Sequence, residues 1–494
     1  MTEAANPARQ IDRFDGRAWA ALFVLSGAIF LDALDVSMVG VALPSIREDL
    51  GLSTTSLQWV VSAYVLSYGG LLLLGGRVAD LLGRRRVFFA SVAVFLVASA
   101  LGGLVNDGAL LIATRFIKGI AAAFTVPAGL SIITTTFAEG PARNKALAIY
   151  TATAASGWSL GLVFGGFLTE IGWRWTFFLP VPIALVILLM APRFLGRDAP
   201  SDRRWRGIRA FDVPGAVTIS AAMLLLVYTV VEAPNEGWGS PRTLLSFAGV
   251  MALWTAFVTI EQRTSDPLVR LGILRSGALR RANLGAMAVV GAWFGVQFIT
   301  TLYFQQLRGW SAIETALAFL PAGILVSLGA PYAGRIVDRF GTTKPITVGM
   351  LSFVLGYVLF LGLDIDSAYA TAILPTILLA GVGFMLAFGP LNMAATAGVK
   401  NEEQGLASGL VNTSFQVGGA IGLAIVTAVI NAGVKSSDAP AGSDAALLDG
   451  YQAGLIVAVF VAIFGLVATL SGPARQALPA RLAFARAGGG DRSG

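Results

Sequence analysis

Long apolar runs alternate along this chain with short polar breaks in which arginine recurs. Fourteen runs emerge, at 18–43, 57–80, 86–105, 108–137, 145–170, 173–195, 213–232, 242–261, 283–307, 311–338, 344–363, 369–397, 405–433 and 449–472. Each is continuously apolar over about 20 residues, the length needed to cross the hydrocarbon core as a helix. Barrel strands would instead show alternation over segments of about ten residues. Hydrocarbon offers backbone groups no hydrogen-bond partners, so the runs are predicted to be helices. The run starting at Ala18 is too long for a signal peptide and is interrupted by Asp32 and Asp35, so it reads as the first span.

Composition supports this. Of 494 residues, 56% are hydrophobic and only 13% charged, about half the charged fraction usual in soluble domains. The net charge of +7 does not describe a nucleic-acid-binding face, because the basic residues are dispersed among short loops. With the N-terminus inside, the inside segments hold 28 of the 35 Lys and Arg and the outside loops hold 5. That bias predicts a multi-pass protein of the cell membrane (plasma or inner) with both termini cytoplasmic. The expected organisation is a tail at 1–17, a six-helix bundle at 18–195, a basic linker with two inserted helices and a following loop at 196–282, a second six-helix bundle at 283–472, and a tail at 473–494. The arginine-rich connection at 193–212 is expected to lie against anionic headgroups.

Two stretches nearly repeat each other. Gly76, Arg77, Asp80 and Gly83 recur as Gly334, Arg335, Asp338 and Gly341, offset by 258 residues and each ending an apolar run. Duplicated halves of this kind build transporters that rock about a central site. Cysteine and histidine are both absent, so a proton carrier must be an Asp or Glu. No phosphate-binding Gly-x-x-x-x-Gly-Lys-Ser/Thr occurs, which disfavours an ATP-driven pump.

The segment from Gly76 through Asp80, Gly83, Arg84 and Arg85 to Arg86 resembles the signature between the second and third helices of the major facilitator superfamily. The run Leu34–Pro44, containing Asp35, resembles a motif of its fourteen-helix drug:proton antiporters, with Gly40 where Asn is usual. Arg115, Lys118 and Gly119 resemble the fourth-helix motif, with Lys118 in place of Gln; Gly157, Gly161, Gly165 and Gly166 resemble the fifth-helix antiporter motif, with Leu162 in place of Pro. Trp173 to Phe177 and Gly405 to Leu410 also fit, so the resemblance spans residues 31 to 413. It implies an all-α integral membrane protein of the major facilitator fold, with two six-helix bundles, a two-helix insert and 14 transmembrane helices. It also implies proton-driven export of amphipathic organic compounds by alternating access. A symporter or uniporter for another solute is the alternative, and a membrane-embedded enzyme fits least. No cofactor, metal, nucleic acid or obligate protein partner is expected; the partners are a small-molecule substrate, protons and the lipid bilayer.

The residues themselves suggest where coupling resides. Asp32 and Asp35 lie about 16 and 12 Å from the outer end of the first span, and Lys118 and Arg115 about 15 and 10 Å into the fourth. Each pair is spaced i, i+3 and so shares a helix face. An unpaired charge at mid-bilayer costs at least ~2.5–3.5 kcal/mol. Either Asp35 takes up and releases the proton while Arg115 biases and competes for it, or the four charges form a static cluster that locks the bundle. Gly76 is expected to let the second helix approach a neighbour closely. Asp80 would then cap or face a helix N-terminus, which the resemblance places near Gly405 as a latch; Asp338 is its counterpart. The glycines at 157–166 either seal a leak path or serve ordinary packing. Polar and aromatic residues within spans, Gln58, Trp59, Tyr64, Trp158, Gln297, Tyr303, Asn392, Asn412 and Gln416, are candidate substrate contacts, whereas Trp173 and Trp175 fit an interfacial belt.

Overall fold

The computed structural model describes residues 14–471 apart from 139–140, 197–211, 265–266, 268, 400–403 and 441. Most of the basic connection at 193–212 and the tail at 473–494 lie outside the described residues, as does the side chain of Asp80. Sixteen α-helices are described. In order they are α1 (Gly16–Leu50), α2 (Thr54–Leu82), α3 (Arg84–Leu104), α4 (Gly108–Thr136), α5 (Pro141–Ile171), α6 (Trp175–Phe178), α7 (Pro180–Phe194) and α8 (Val213–Glu236). They continue as α9 (Pro241–Arg263), α10 (Gly277–Leu302), α11 (Ala312–Gly329), α12 (Ala333–Phe340), α13 (Thr343–Phe360), α14 (Leu374–Thr396), α15 (Gln404–Ser436) and α16 (Asp444–Leu470).

Local signals set several ends. Asp15, Ser53, Asp107, Ser276 and Ser443 cap helices by accepting from the backbone three residues on, and Ser311 with Glu314 forms a reciprocal capping box at α11. α1 continues seven residues past the predicted end at 43. Pro44 is accommodated inside it, and the helix stops at Gly51, whose φ of 61° no β-carbon residue adopts readily. The sixth predicted span divides into α6 and α7. The tenth divides into α11 and α12 across a 3-10 turn at Ala330–Tyr332. Thirteen helical segments among the described residues are long and apolar enough to cross a membrane; the span predicted at 213–232 is α8, with a shorter apolar stretch at Pro214–Val230.

The packing repeats with the sequence. In the first half α1 rests on α5 and α7, α2 on α4, and α3 on α4 and α7. In the second half α10 rests on α15 and α16, α11 on α14, and α13 on α14 and α16. These are the same contacts shifted by one half. The halves meet along two corresponding seams, α2 with α15 and α5 with α11, with α1 reaching α10 and α11 between them. α8 and α9 pair with each other, and α8 lies along both α2 and α15, so the insert covers one of the two seams.

Candidate functional site

Two glycine-lined contacts bring the charged helices together. A β-carbon at Gly157 or Gly161 would stand 2.6 Å from the carbonyl oxygen of Phe30 or Leu34, and one at Gly165 would stand 2.7 Å from the Cα of Met38. α5 is therefore seated on the stretch of α1 that carries Asp32 and Asp35. On the other side, a β-carbon at Gly119 would stand 2.9 Å from the carbonyl carbon of Tyr64, and the Ser67 hydroxyl donates to the Phe116 carbonyl at 2.8 Å. α4 is thus pressed against α2 beside Arg115 and Lys118.

The result is a closed cluster of four charges. Asp35 is fully buried and accepts from both Arg115 and Lys118, one cation on each carboxylate oxygen. Arg115 also donates its Nε–H to the Val60 carbonyl at 3.0 Å, and its guanidinium lies 4.5 Å from the Tyr64 ring centroid. Lys118 is held near two rings, Phe95 at 4.8 Å and Phe177 at 5.1 Å. Asp32, one turn away, accepts from the Tyr64 hydroxyl. It keeps 9% of its surface exposed where Asp35 keeps none. The four charged residues expected at one depth lie together, and Tyr64, expected among the cavity residues, joins them. The carbonyl and rings that complete it, Val60, Phe95 and Phe177, carry no charge or motif that would mark them in sequence.

The other candidates scatter. Trp158 stacks on Phe294 across the seam between halves, centroids 6.2 Å apart and planes at 10°. With Gln297, Gly40, Val36, Val61 and Thr301 they border a cavity of about 30 Å³, room for about one water. Among the described residues, no group hydrogen-bonds the buried Thr301 hydroxyl or the buried Gln58 amide nitrogen. Gln416 packs against Gly69 on the α2–α15 seam. Trp59 donates its indole N–H to Glu232 of the insert at 2.9 Å. Tyr303 donates to the Asp364 carbonyl at 2.6 Å, at the far end of the second half. Asn392 and Asn412 donate to carbonyls of their own helices and meet at 3.4 Å inside the second half. A larger cavity of about 640 Å³ opens where α1 and α5 end and α11 begins, bordered by Arg47, Glu48, Glu170, Gln305, Gln306 and Trp310.

In the repeated turn the glycine roles differ from expectation. A β-carbon at Gly76 would meet Pro127 at an ordinary 3.6 Å, whereas one at Gly75 would stand 2.8 Å from the Ala123 carbonyl carbon. The close approach to α4 belongs to Gly75. Gly83 and Gly341 each take a positive φ, 101° and 73°, to turn the chain into the next helix. Arg84 and Arg85 donate to the carbonyls of Ser131 and Pro192 at 3.4 and 2.6 Å, so they tie this turn to the ends of α4 and α7; Arg77 is half-buried. Asp338 is exposed and has no ion pair among the described residues. Gly166 faces the other way from its motif partners: its β-carbon would stand 2.9 Å from the Cα of Ile313 on α11, so that glycine joins the halves.

A profile of the Major Facilitator Superfamily matches residues 25–423. The chain belongs to that superfamily. It is a multi-pass membrane transporter. It is 38% identical over 465 residues to the puromycin resistance protein of Streptomyces alboniger, covering 92% of this chain and 90% of the relative. It is also 38% identical over 425 residues to the cephamycin export protein of Amycolatopsis lactamdurans, covering 85% and 87%. Among solved structures, a D-xylose-proton symporter superposes with a TM-score of 0.61 at 16% identity, covering 91% of this chain and 97% of the symporter. A human organic anion transporter does so at 0.60 and 16%, covering 91% and 100%. At those identities the structures share the fold alone.

Proposed function

We propose that this transporter exports amphipathic organic compounds in exchange for protons, by alternating access in the cell membrane with both termini in the cytoplasm. In that orientation the 640 Å³ vestibule faces outward. The two six-helix bundles rock about the seams, and no protein partner is needed. The observation that carries the reading is the buried cluster of Asp32, Asp35, Arg115 and Lys118. As drawn it balances two acids against two bases. Adding one proton leaves one cation uncompensated, and an uncompensated charge in the membrane interior costs about 3 kcal/mol, equivalent to roughly a hundredfold shift between two conformations. A ligand moves an equilibrium only by its differential affinity for the two states. Proton and substrate therefore work against each other through the bundle, without sharing atoms. The names of the relatives support export of antibiotics: puromycin resistance and cephamycin export at 38% identity, and tetracenomycin C resistance and export at 31%.

The test is reconstitution into proteoliposomes with puromycin as the first probe and tetracenomycin C as the second. Substrate addition should release protons, and an imposed pH gradient should accumulate substrate against its own gradient. Transport that runs equally well with the gradient collapsed would refute the coupling.

A further inference from the structure

We propose that Asp32, hydrogen-bonded to Tyr64, is the carboxyl that takes up and releases the coupling proton, and that Asp35 is the permanently ionised counter-ion of Arg115 and Lys118. This rests on the proton-exchange reading above and reverses the expectation that Asp35 titrates.

The two carboxyls stand in different surroundings. Asp35 has one cation on each oxygen. Protonating it would break at least one charge-assisted bond and leave both Arg115 and Lys118 buried without an anion between them. It is also sealed from solvent, so no proton reaches it without first opening the cluster. Lys118 makes this clamp complete: with the amide usual in the family at that position, Asp35 would face one cation only.

Asp32 has the opposite surroundings. The charged and titratable groups around it are Asp35 on its own helix, Arg115 and Lys118 on α4, Tyr64 and Tyr68 on α2, and Tyr150 on α5. Both cations make their ion pairs with Asp35, and the polar bond Asp32 receives comes from a neutral phenol. Its nearest anion along the helix is Asp35 itself, one turn away. Asp32 makes no ion pair among the described residues, so it can gain or lose a proton without breaking the two bonds that hold Asp35. Asp32 is also the less enclosed of the two carboxyls, 9% exposed where Asp35 is fully buried.

The step balances simply. A water-borne proton adds to a carboxylate oxygen of Asp32, forming one O–H bond, and the acid can then donate to the Tyr64 oxygen that formerly donated to it. Tyr64 carries the change onward. Its ring lies under Arg115, stands edge-on to Tyr68 with centroids 6.0 Å apart, and belongs to an apolar cluster that extends to Ala420 and Ala424 of α15. Protonation of Asp32 is thus felt at a seam that must slide when the halves rock. Release to the opposite face restores the original donor direction.

The experiment follows the carboxylic acid C=O stretching band by difference infrared spectroscopy as pH is varied, together with proton release on puromycin addition. Wild type should show a titrating band and proton release. Asp32→Asn should lose both while keeping a cooperative thermal transition, and Asp32→Glu should restore both. The charge-balanced pair Asp35→Asn with Lys118→Gln should keep the titrating band. Tyr64→Phe should shift its midpoint. Loss of the band in the balanced pair with retention in Asp32→Asn would overturn the assignment in favour of Asp35. Absence of any substrate-linked proton release in wild type, with puromycin bound and moved, would instead remove the proton-exchange reading and this assignment with it.

Discussion

The indole N–H of Trp59 on α2 donates to the carboxylate of Glu232 on α8 at 2.9 Å, and a second bond, from the Ser220 hydroxyl to the Gly70 carbonyl at 2.8 Å, fastens the same two helices lower down. Against α15, α8 offers apolar side chains: Ile219 belongs to an apolar cluster with Leu406 and Leu410. The two hydrogen bonds to α2 imply that the insert travels with the first half and slides over the second.

That asymmetry is testable because the native chain has no cysteine. A β-carbon at Gly70 would lie 3.8 Å from the Met223 Cβ, the mean separation across a disulfide. Gly70→Cys with Met223→Cys should therefore oxidise readily, and the locked protein should still transport. Bridging Ile219→Cys to Leu410→Cys with a short bifunctional thiol reagent should arrest turnover. Equal inhibition by both links would mean the insert does not ride with α2.

Glycine substitutions should separate two motifs that look equally glycine-dependent in sequence. Gly161→Ala places a methyl 2.6 Å from the Leu34 carbonyl oxygen, inside any real contact distance, so α5 must shift off α1 at a cost of about 1–3 kcal/mol. Gly76→Ala meets only ordinary contact and should melt within a degree or two of wild type. Thermal unfolding in detergent reads both. A Gly76→Ala protein as damaged as Gly161→Ala would show that the repeated turn is packed in some way these contacts do not explain.

Those two motifs also show what sequence reasoning could and could not reach. Asp35, Arg115 and Lys118 were legible because charges inside apolar runs are costly and their spacing fixed a face and a depth. The helix count and repeated halves were legible for the same reason, that hydrocarbon enforces long uninterrupted runs. Rotation of one helix against another was not. Tyr64 and Trp59 sit five residues apart on α2, yet one joins the charge cluster and the other meets the insert. Nothing in α2 alone says where α8 will dock. Gly75 and Gly76 are adjacent, and only the direction of α4 decides which of them must lack a side chain.

The same packing makes folding depend on Asp35. Asp35→Asn removes the anion between two buried cations, and breaking a buried pair in this way costs about 3–5 kcal/mol. Asp35→Asn alone should express poorly and melt early. Adding Lys118→Gln removes the surplus charge and should recover most of the loss. The check is the melting temperature of single and double variants side by side. Additive destabilisation, with no recovery in the double variant, would show that Lys118 is not compensated by Asp35.

Gln305 offers a handle on the conformational equilibrium. It lies just beyond α10, in the π-helical turn Tyr303–Leu307, and donates its Nε2–H to the Val41 carbonyl of α1 at 3.0 Å. This bond joins the two halves between the vestibule and the small cavity beside Gly40. Interhelical hydrogen bonds in membranes are worth about 0.6 kcal/mol on average, close to a threefold change in an equilibrium constant. Gln305→Leu should therefore favour the state in which the vestibule reaches the centre by about threefold. A thiol at position 40 reports it: the β-carbon of Gly40→Cys would meet its nearest neighbour, the Gln297 amide nitrogen, at an ordinary 3.4 Å. Its labelling by a membrane-impermeant maleimide, applied from the vestibule side, should accelerate by that factor in Gln305→Leu. An unchanged rate would mean that the Gln305 bond persists, or is irrelevant, when the halves separate at this end.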